Sequence, residues 1–291
     1  MCFLCCFLLS ELVRGDEFIS NSKVVHVMSK KDKQILGIAT LYCQLFIVRG
    51  GSQQIDIYNT LDFTETGHVT VNGMKRPRCL VACSHYNCLY VSDATGYIHR
   101  VELFNKSVSK WTVKGQSCGM PEGLSLTTAH TVIVTLLGAN RLHEYTTQGE
   151  LMRDISLDVD LKMSGHSTQL STGQFVVCDA GTKHRVCIID TQGQVVRSYG
   201  RDKGSADGQL NGPYSLAVDK TDHVFVADCD NNKVRLFSPS LTHLGDVTLP
   251  GYQLNKPCTI HLDQLYACLY VSEDDGERRL FVVGVSSHCC C

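Results

Sequence analysis

The sequence predicts an all-β protein, a six-bladed β-propeller, and three observations support this fold class. Short apolar runs recur along the chain at a nearly constant period. Each run has the same kind of sequence before and after it. A strand-like segment near the N-terminus can supply the one strand that the last copy lacks.

The repeated run is a short apolar strand that in most copies ends in an acidic residue. In chain order the copies read LFIVR, LYVSD, VIVTL, FVVCD, VFVAD and LYVSE, and they end at Arg49, Asp93, Leu136, Asp179, Asp228 and Glu273. Successive end points lie 44, 43, 43, 49 and 45 positions apart. A β-sandwich also contains short strands, but its strands do not repeat the same sequence pattern at a constant period. The propeller is therefore favoured.

The surroundings of the repeated run supply the other strands of each blade. A proline corner and an apolar strand precede it in several copies, as in RPRCLVA, GPYSLAVD and KPCTIHLD. A short polar turn and a further strand follow it, as in YIHRVEL and NKVRLF. A fourth run often comes next, such as QVVRSYG after DTQG. Four short strands separated by Gly, Asp and Asn turns are typical of one propeller blade.

The last copy predicts how the propeller closes. It supplies three strands and lacks a fourth, whereas the segment from Phe18 to Met28 precedes the first complete unit and has no blade of its own. We expect this segment to be the outer strand of the last blade, which removes an exposed sheet edge. The predicted organisation is an N-terminal segment, 1–17, which can be disordered, a propeller, 18–285, and a cysteine-rich tail, 286–291.

Composition limits the classes of function. The 291 residues carry a formal net charge of −2, which argues against a strongly basic nucleic-acid binder but allows a local basic patch. Most of the 16 cysteines stand singly inside apolar runs, which predicts buried, reduced thiols and a cytoplasmic location. The apolar start MCFLCCFLL is too short to cross a bilayer, so no membrane span is expected.

The stretch from Gln209 to Phe237 resembles an NHL repeat. It has the proline corner and apolar strand of that family in GPYSLAVD, its second strand in HVFVAD and its third strand in NNKVRLF. The preceding GSADGQLNGP is similar to the lead-in of the family. The fourth copy resembles the family well, the second and sixth moderately, and the first and third are eroded at Arg49 and Leu136. The resemblance covers about residues 18–285 and implies an NHL-type propeller.

This resemblance implies a recognition module and not an enzyme. NHL propellers are best known from TRIM-NHL proteins, which resemble ubiquitin ligases and use the propeller to bind RNA or protein targets. The sequence here shows no RING or B-box spacing and no heptad segment, so no catalytic residue and no cofactor is predicted. We expect a protein partner, in a ubiquitin-ligase or post-transcriptional setting. RNA is the alternative partner, and no small-molecule substrate is indicated.

The predicted binding face carries the loops between blades and the turns between the second and third strands. Its candidate residues are cationic, polar or aromatic: Arg76, Arg78, Tyr97, Arg141, His184, Arg185, Asn211, Tyr214, Lys233, Arg235 and Lys256. Arginine, lysine and aromatic rings on such a face can hold phosphates and stack on bases. The same face also offers many acidic residues, so its overall charge is mixed.

Two further groups have structural interpretations. Asp93, Asp179 and Asp228 are expected to accept backbone N–H bonds in the turns that follow them. A metal-dependent hydrolase or lyase of related shape, the less favoured alternative, needs ligands at like positions on the inner strands, which are expected to be apolar. His261 is predicted to be the one histidine on an inner strand and to pack in the core, so no metal ligand is predicted.

Overall fold

The computed structural model describes residues 19, 22–29, 33–114, 119–158, 161, 164–181 and 183–285. In these residues 24 strands form six antiparallel sheets of four strands each, and a 3-10 turn spans Cys229–Asn231. The predicted all-β, six-bladed propeller is therefore confirmed. The segments 1–17 and 286–291 lie outside the described residues, and their predicted boundaries stay predictions.

The strands are numbered in chain order, beginning with β1, Ser22–Ser29. Blade 1 consists of β2 to β5: Ile35–Leu41, Gln44–Arg49, Gln54–Asn59 and Glu65–Thr70. Blade 2 consists of β6 to β9: Pro77–Cys83, Cys88–Asp93, Tyr97–Glu102 and Val108–Thr112. Blade 3 consists of β10 to β13: Met120–Leu126, Val132–Leu137, Arg141–Tyr145 and Leu151–Ser156.

The remaining blades follow the same plan. Blade 4 consists of β14 to β17: Ser164–Gln169, Phe175–Asp179, Arg185–Ile189 and Val195–Tyr199. Blade 5 consists of β18 to β21: Pro213–Val218, Val224–Asp228, Lys233–Phe237 and His243–Asp246. Blade 6 consists of β22 to β24, Pro257–Asp263, Cys268–Glu273 and Arg279–Val285, with β1 as its fourth strand. The six repeated runs of the sequence are the second strands of the six blades.

The propeller closes as the sequence predicts. β1 pairs antiparallel with β24, so that Ser22 lies opposite Val285 and Ser29 lies opposite Arg279. A second contact joins the same two blades near the axis. The backbone N–H of Thr40, on the inner strand β2, donates to Nε2 of His261, on the inner strand β22, over 3.1 Å. Sheet pairing and this hydrogen bond thus both connect blade 6 to blade 1.

The hydrophobic core lies between the blades. The described residues form six apolar clusters, and each cluster fills the space between two adjacent blades. On β3, Phe46 and Val48 pack toward blade 2, whereas Leu45 and Ile47 pack toward blade 6. Because successive side chains of a strand point to opposite faces, a blade covered on both faces needs a continuous apolar run. This explains why the second strands read LFIV, LYV and VFVA.

Cysteines contribute to these clusters as small apolar residues. The nine cysteines in the described part of the chain carry free thiols, and Cys83, Cys88, Cys178, Cys187 and Cys258 are buried. Burial raises the pKa of the Cys187 thiol to about 12, which makes it a poor nucleophile at neutral pH. No helix within the described residues is long and apolar enough to span a bilayer.

Candidate functional site

The propeller has one face on which the chain passes from blade to blade, and we call it the loop face. It contains the connections 71–76, 200–212 and 247–256 and the turns between second and third strands, such as 94–96 and 229–232. The inner strands begin at this face, so their first residues surround the mouth of the central channel. Two arrangements of buried charged side chains lie here. One is an ion pair that recurs in several blades, and the other is a cluster that occurs once, at the channel mouth.

The repeated charges are ion pairs between the last residue of a second strand and the third strand beside it, which we call the blade-end pairs. In blade 5, Nε of Arg235 lies 2.6 Å from Oδ2 of Asp228, and both side chains are buried. In blade 4, Nε of Arg185 lies 3.1 Å from Oδ2 of Asp179. Both arginines were predicted to contact a partner, but the structure places their guanidinium groups inside the blades. A buried charge of this kind needs its partner, since leaving it unpaired is costly.

The blades that look eroded in the sequence show what the pair requires. In blade 1 the signs are exchanged, because Arg49 ends the second strand and its Nε lies 2.8 Å from Oδ2 of Asp56 on the third strand. Blade 6 uses Glu273 with Arg279 over 2.8 Å. Blade 3 has the apolar Leu136 at this position. Blade 1 therefore keeps the ion pair although Arg49 stands in place of the aspartate, whereas Leu136 cannot form this pair in blade 3.

The acidic members also tie the loops to the blades, as the sequence predicts. Asp93 accepts hydrogen bonds from the backbone N–H groups of Lys75, Arg76 and Thr95 over 2.8, 3.2 and 2.9 Å. Asp228 accepts from the N–H of Asn211 over 2.7 Å. Burial works to raise the pKa of Asp93, but the hydrogen bonds from Lys75, Thr95 and Arg76 outweigh it and lower the pKa. The role predicted in the following turn is confirmed for Asp93, through Thr95, and for Asp179, which accepts the N–H of Gly181 over 3.1 Å. Asp228 instead accepts from the connection before it and makes no capping bond to the 3-10 turn that follows it.

The charge that occurs once lies at the channel mouth. Each inner strand has one equivalent residue near its start, the second of the strand in five blades and the third in β10: Leu36, Arg78, Glu122, Gly165, Tyr214 and Cys258. Three of these residues, Arg78, Glu122 and Tyr214, interact with one another across the mouth, and we call them the mouth cluster. Because six different residue types occupy equivalent positions, the propeller itself does not require this arrangement.

The mouth cluster is organised around the carboxylate of Glu122, which is 5% exposed. The hydroxyl of Tyr214 donates to its Oε1 over 2.6 Å, and Nε of Arg78 lies 3.4 Å from its Oε2. Burial, followed by the charge and hydrogen bond of Glu122, raises the pKa of Tyr214, so its hydroxyl stays protonated and keeps donating. One buried acid thus accepts a hydrogen bond from a tyrosine and forms an ion pair with an arginine, and these two residues come from different blades.

Close packing of the inner strands narrows this mouth. A Cβ atom on Gly165 would lie 2.7 Å from the carbonyl oxygen of Tyr214, and one on Gly123 would lie 2.8 Å from the carbonyl oxygen of Gly165. Any larger residue at these two positions would push blades 3, 4 and 5 apart. The remaining cavity has a volume of about 30 Å³ and is lined by the mouth cluster together with Cys79, His166 and Thr259.

Two expectations about the inner strands are wrong. They are not uniformly apolar, because Arg78, Glu122 and Tyr214 lie on them and not in the loops between blades. His261 is also not the one histidine there, since His166 lies on β14 and lines the mouth cavity. Nε2 of His166 donates to the carbonyl of Leu124 over 3.0 Å, and burial lowers the pKa of the ring. Each inner strand has a bulge near its start, which the sequence does not show and which interrupts the alternation of its side chains.

The other predicted residues lie around the rim of the loop face. Arg76 and Lys256 are exposed. Lys233 pairs with Asp246 and Arg141 with Asp154, both on outer strands, over 2.7 and 2.6 Å. These four side chains lie on or near the predicted face, but two of them contact acidic neighbours within their own blades.

Three polar residues of the prediction have structural contacts. Nδ1 of His184 accepts the N–H of Gly212 over 2.8 Å and so holds the connection between blades 4 and 5. The ammonium group of Lys110 lies 4.3 Å from the centre of the Tyr97 ring, in a cation–π contact. Asn211 donates its backbone N–H to Asp228, as described above, and its buried Oδ1 has no hydrogen-bond partner within the described residues.

The sequence alone assigned no role to Glu122 or His166. Aligning the six copies at the start of the inner strand would have placed Arg78, Glu122 and Tyr214 in one column. The contacts between them depend on the closed ring, which the sequence alone does not display. Within the described residues, no three His, Cys, Asp or Glu side chains lie close enough together to hold a metal ion.

Neither a protein-family model nor a curated protein matches the sequence. Solved structures do match the fold. The virginiamycin B lyase of Staphylococcus aureus is 13% identical, with a TM-score of 0.65 over 89% of this chain and 99% of that one. A streptogramin B lyase is 11% identical, with a TM-score of 0.67 over 91% of this chain and 98% of that one.

A propeller of another type is equally similar. The WD40 β-propeller domain of Doa1 is 12% identical, with a TM-score of 0.64 over 93% of this chain and 99% of that one. Enzymes and a WD40 domain thus share this architecture at identities that establish the fold alone. The NHL resemblance remains a prediction from the repeat motif, and the structure establishes that this chain is a six-bladed β-propeller.

Proposed function

We propose that this chain is a non-enzymatic recognition module that binds a protein partner through the loop face, in a regulatory setting like that of TRIM-NHL proteins. The observation that carries the proposal is the mouth cluster. It is a preformed group of buried charge and aromatic surface at the centre of an exposed face, and the blade architecture does not require it. Fixed polar groups of this kind lower the ordering cost of binding.

The residues around the mouth cluster suit a protein interface. Arginine and tyrosine are enriched at the centres of interfaces, where they contribute most of the binding energy. Tyr214 is 36% exposed and Tyr252, on the connection between blades 5 and 6, is 47% exposed. The exposed Arg76 and Lys256 lie on connections beside the mouth and can form the polar rim of such an interface.

The test reverses charge on the loop face without touching any buried pair. Arg76→Glu combined with Lys256→Glu changes two exposed side chains of that face. The matched control, Lys220→Glu with Arg197→Glu, makes the same change of charge at exposed positions on the opposite face and on an outer strand. We expect affinity capture with the loop-face variant to lose the proteins that the wild type and the control variant retain.

Two outcomes would contradict the proposal. If the loop-face variant and the control variant retain the same proteins, another surface binds the partner. If capture by the wild type disappears after ribonuclease treatment and falls steeply between low and physiological salt, the face binds RNA, because phosphate contacts release counterions. Urea denaturation of each variant shows that it remains folded.

A further inference from the structure

The guanidinium group of Arg78 contacts Glu122 through Nε, and its terminal nitrogens have no acceptor among the described residues. Its Nε atom is buried and lies 3.4 Å from Oε2 of Glu122, an ion pair in which neither atom makes a hydrogen bond within the described residues, whereas 28% of the side chain remains exposed. Glu122 is the one described residue with which Arg78 forms a polar contact. The two terminal nitrogens, Nη1 and Nη2, therefore have no acceptor within the described part of the chain. Their N–H groups can donate two parallel hydrogen bonds to the two oxygens of a carboxylate or phosphate group.

Glu122 does not occupy that donor pair. Both of its oxygens are directed to Tyr214 and to the Nε side of Arg78, and the residue is 5% exposed. The acid lies behind the arginine and restrains its side chain. A fixed arginine loses less rotamer freedom on binding than a flexible surface arginine does. Glu122 and Tyr214 are in this sense positioning residues for Arg78.

The size of the mouth cavity limits what can enter. Its volume of about 30 Å³ has room for about two water molecules. The two oxygens of a carboxylate fit this space, whereas a nucleic-acid base or an aromatic ring does not. Nδ1 of His166, which lines the cavity, is buried without a hydrogen-bond partner in the described residues and can accept from a water or an N–H that accompanies the carboxylate.

The chain just before Arg78 adds positive charge. Lys75 and Arg76 have exposed side chains, and both have their backbones fixed by Asp93. Three cationic residues therefore lie within four positions at the edge of the mouth, which favours an acidic segment over a neutral one.

We propose that the mouth cluster is the receptor for a glutamate or aspartate side chain in an acidic segment of the partner protein, with Arg78 binding the carboxylate. This proposal rests on the protein-binding function proposed above and specifies its chemistry. Tyr214 and Glu122 position the arginine, while Lys75 and Arg76 contact the flanking acidic residues of the segment.

The test uses two fluorescein-labelled peptides of the same length, a capped Gly-Ser peptide with two central glutamates and the same peptide with two central glutamines. Binding to the full chain is measured by fluorescence anisotropy at low ionic strength. We expect the glutamate peptide to bind at least about tenfold more tightly than the glutamine peptide, a ratio that corresponds to one charge-assisted hydrogen-bonded pair.

Variants then assign the binding to Arg78. Arg78→Gln is expected to abolish the preference for the glutamate peptide. Because this change leaves Glu122 without its cation, Arg78→Gln combined with Glu122→Gln serves as a second variant in which no unpaired buried charge remains. Arg197→Gln, which removes one exposed charge on an outer strand, is expected to bind like the wild type.

Equal binding of the two peptides, no binding of either, or an unchanged preference in both Arg78 variants would each overturn the proposal. Tight binding of an oligouridine that Arg78→Gln abolishes, without binding of the glutamate peptide, would assign the mouth to phosphate instead. If the charge reversal at Arg76 and Lys256 still abolishes partner capture while the peptides fail, the protein-binding face stands and only its acidic ligand is wrong.

Discussion

The blade-end pairs and the mouth cluster both set an arginine against a buried charged partner on the same face, but only the blade-end pair recurs from blade to blade. The pair occurs in four blades, as Arg49 with Asp56 and as the pairs of blades 4, 5 and 6. The mouth cluster occurs once, although all six inner strands provide an equivalent position. A feature that recurs in most repeats serves the repeat, whereas a feature at one point of a ring is free to serve a ligand.

The comparison also separates arginines that look alike in the sequence. Arg235 follows a second strand by a few residues and lies on the predicted face, yet both its side chain and that of Asp228 are buried. Arg78 follows a proline corner and keeps an open guanidinium end. Their different surroundings give opposite expectations: loss of Arg235 or its partner should destabilise the protein, and loss of Arg78 should impair binding.

The largest effect is expected from Asp228→Ala. The change leaves Arg235 buried without its partner and frees the N–H of Asn211, so we expect the free energy of unfolding to fall by about 3 to 5 kcal/mol. Urea denaturation measures the change. The control is Asp246→Ala in the same blade, which breaks a pair with the half-exposed Lys233 and should cost at most about 1 kcal/mol. Equal losses for the two variants would refute the structural role of the blade-end pair.

Blade 1 tests whether the blade-end pair is equally stable when the acid and the arginine exchange positions. Arg49→Asp alone places two acids together and Asp56→Arg alone places two arginines together, so each should cost about 3 kcal/mol or more. The two changes combined recreate the order found in blade 5, and we expect them to recover most of that loss. A double-mutant cycle by urea denaturation measures the coupling. If the combined variant is no more stable than the single ones, the exchanged pair of blade 1 is not equivalent to the others.

His261 should make the closure between blades 6 and 1 sensitive to acid. Burial lowers the pKa of its ring from the ordinary 6.5 to about 4, and its Nε2 accepts the N–H of Thr40 only while it is unprotonated. The unfolded chain takes up this proton below pH 6.5 and the folded chain does not until about pH 4. The neutral ring therefore makes its full contribution to the free energy of unfolding above pH 6.5, and this contribution declines as the pH falls toward 4.

The slope that His261 adds cannot exceed about 1.4 kcal/mol per pH unit for one proton. His261→Gln keeps an acceptor for Thr40 but does not titrate, so its free energy of unfolding should fall less steeply between pH 6.5 and 4. The buried His99 and His143 and the partly buried His166, whose pKa values are also lowered, keep part of the slope. An identical slope in the wild type and the variant would contradict the assignment to His261.

Tyr214→Phe is expected to affect stability less than the loss of a blade-end pair. The ring keeps its packing, but Glu122 loses the 2.6 Å hydrogen bond from the hydroxyl. The free energy of unfolding should fall by about 1 to 2 kcal/mol, since the lost bond joins a neutral donor to a charged acceptor. Capture of the partner should decline more than this stability change explains, because Arg78 is then less well fixed. Unchanged capture would separate Tyr214 from the binding role.

The sequence predicts the fold well because each blade repeats the same local information. The run VFVAD is the strand Val224–Asp228, and the N-terminal segment completes blade 6, since both follow from apolar patterning and strand count. The candidate site is predicted less well. Whether Arg185 faces solvent or Asp179 depends on the register between two strands, and the meeting of Arg78 with Glu122 and Tyr214 depends on closure of the whole ring.

The most direct test of the distinction between the two arginine sites combines stability and binding in one variant. Arg78→Gln with Glu122→Gln replaces the ion pair of the mouth cluster by neutral amides, and we measure both its urea unfolding and its capture of the partner. We expect the free energy of unfolding to stay within about 1 kcal/mol of the wild type, as for an interaction outside the blade architecture, and capture to be lost. A variant that captures the partner as well as the wild type, or that unfolds as readily as Asp228→Ala, would contradict the account.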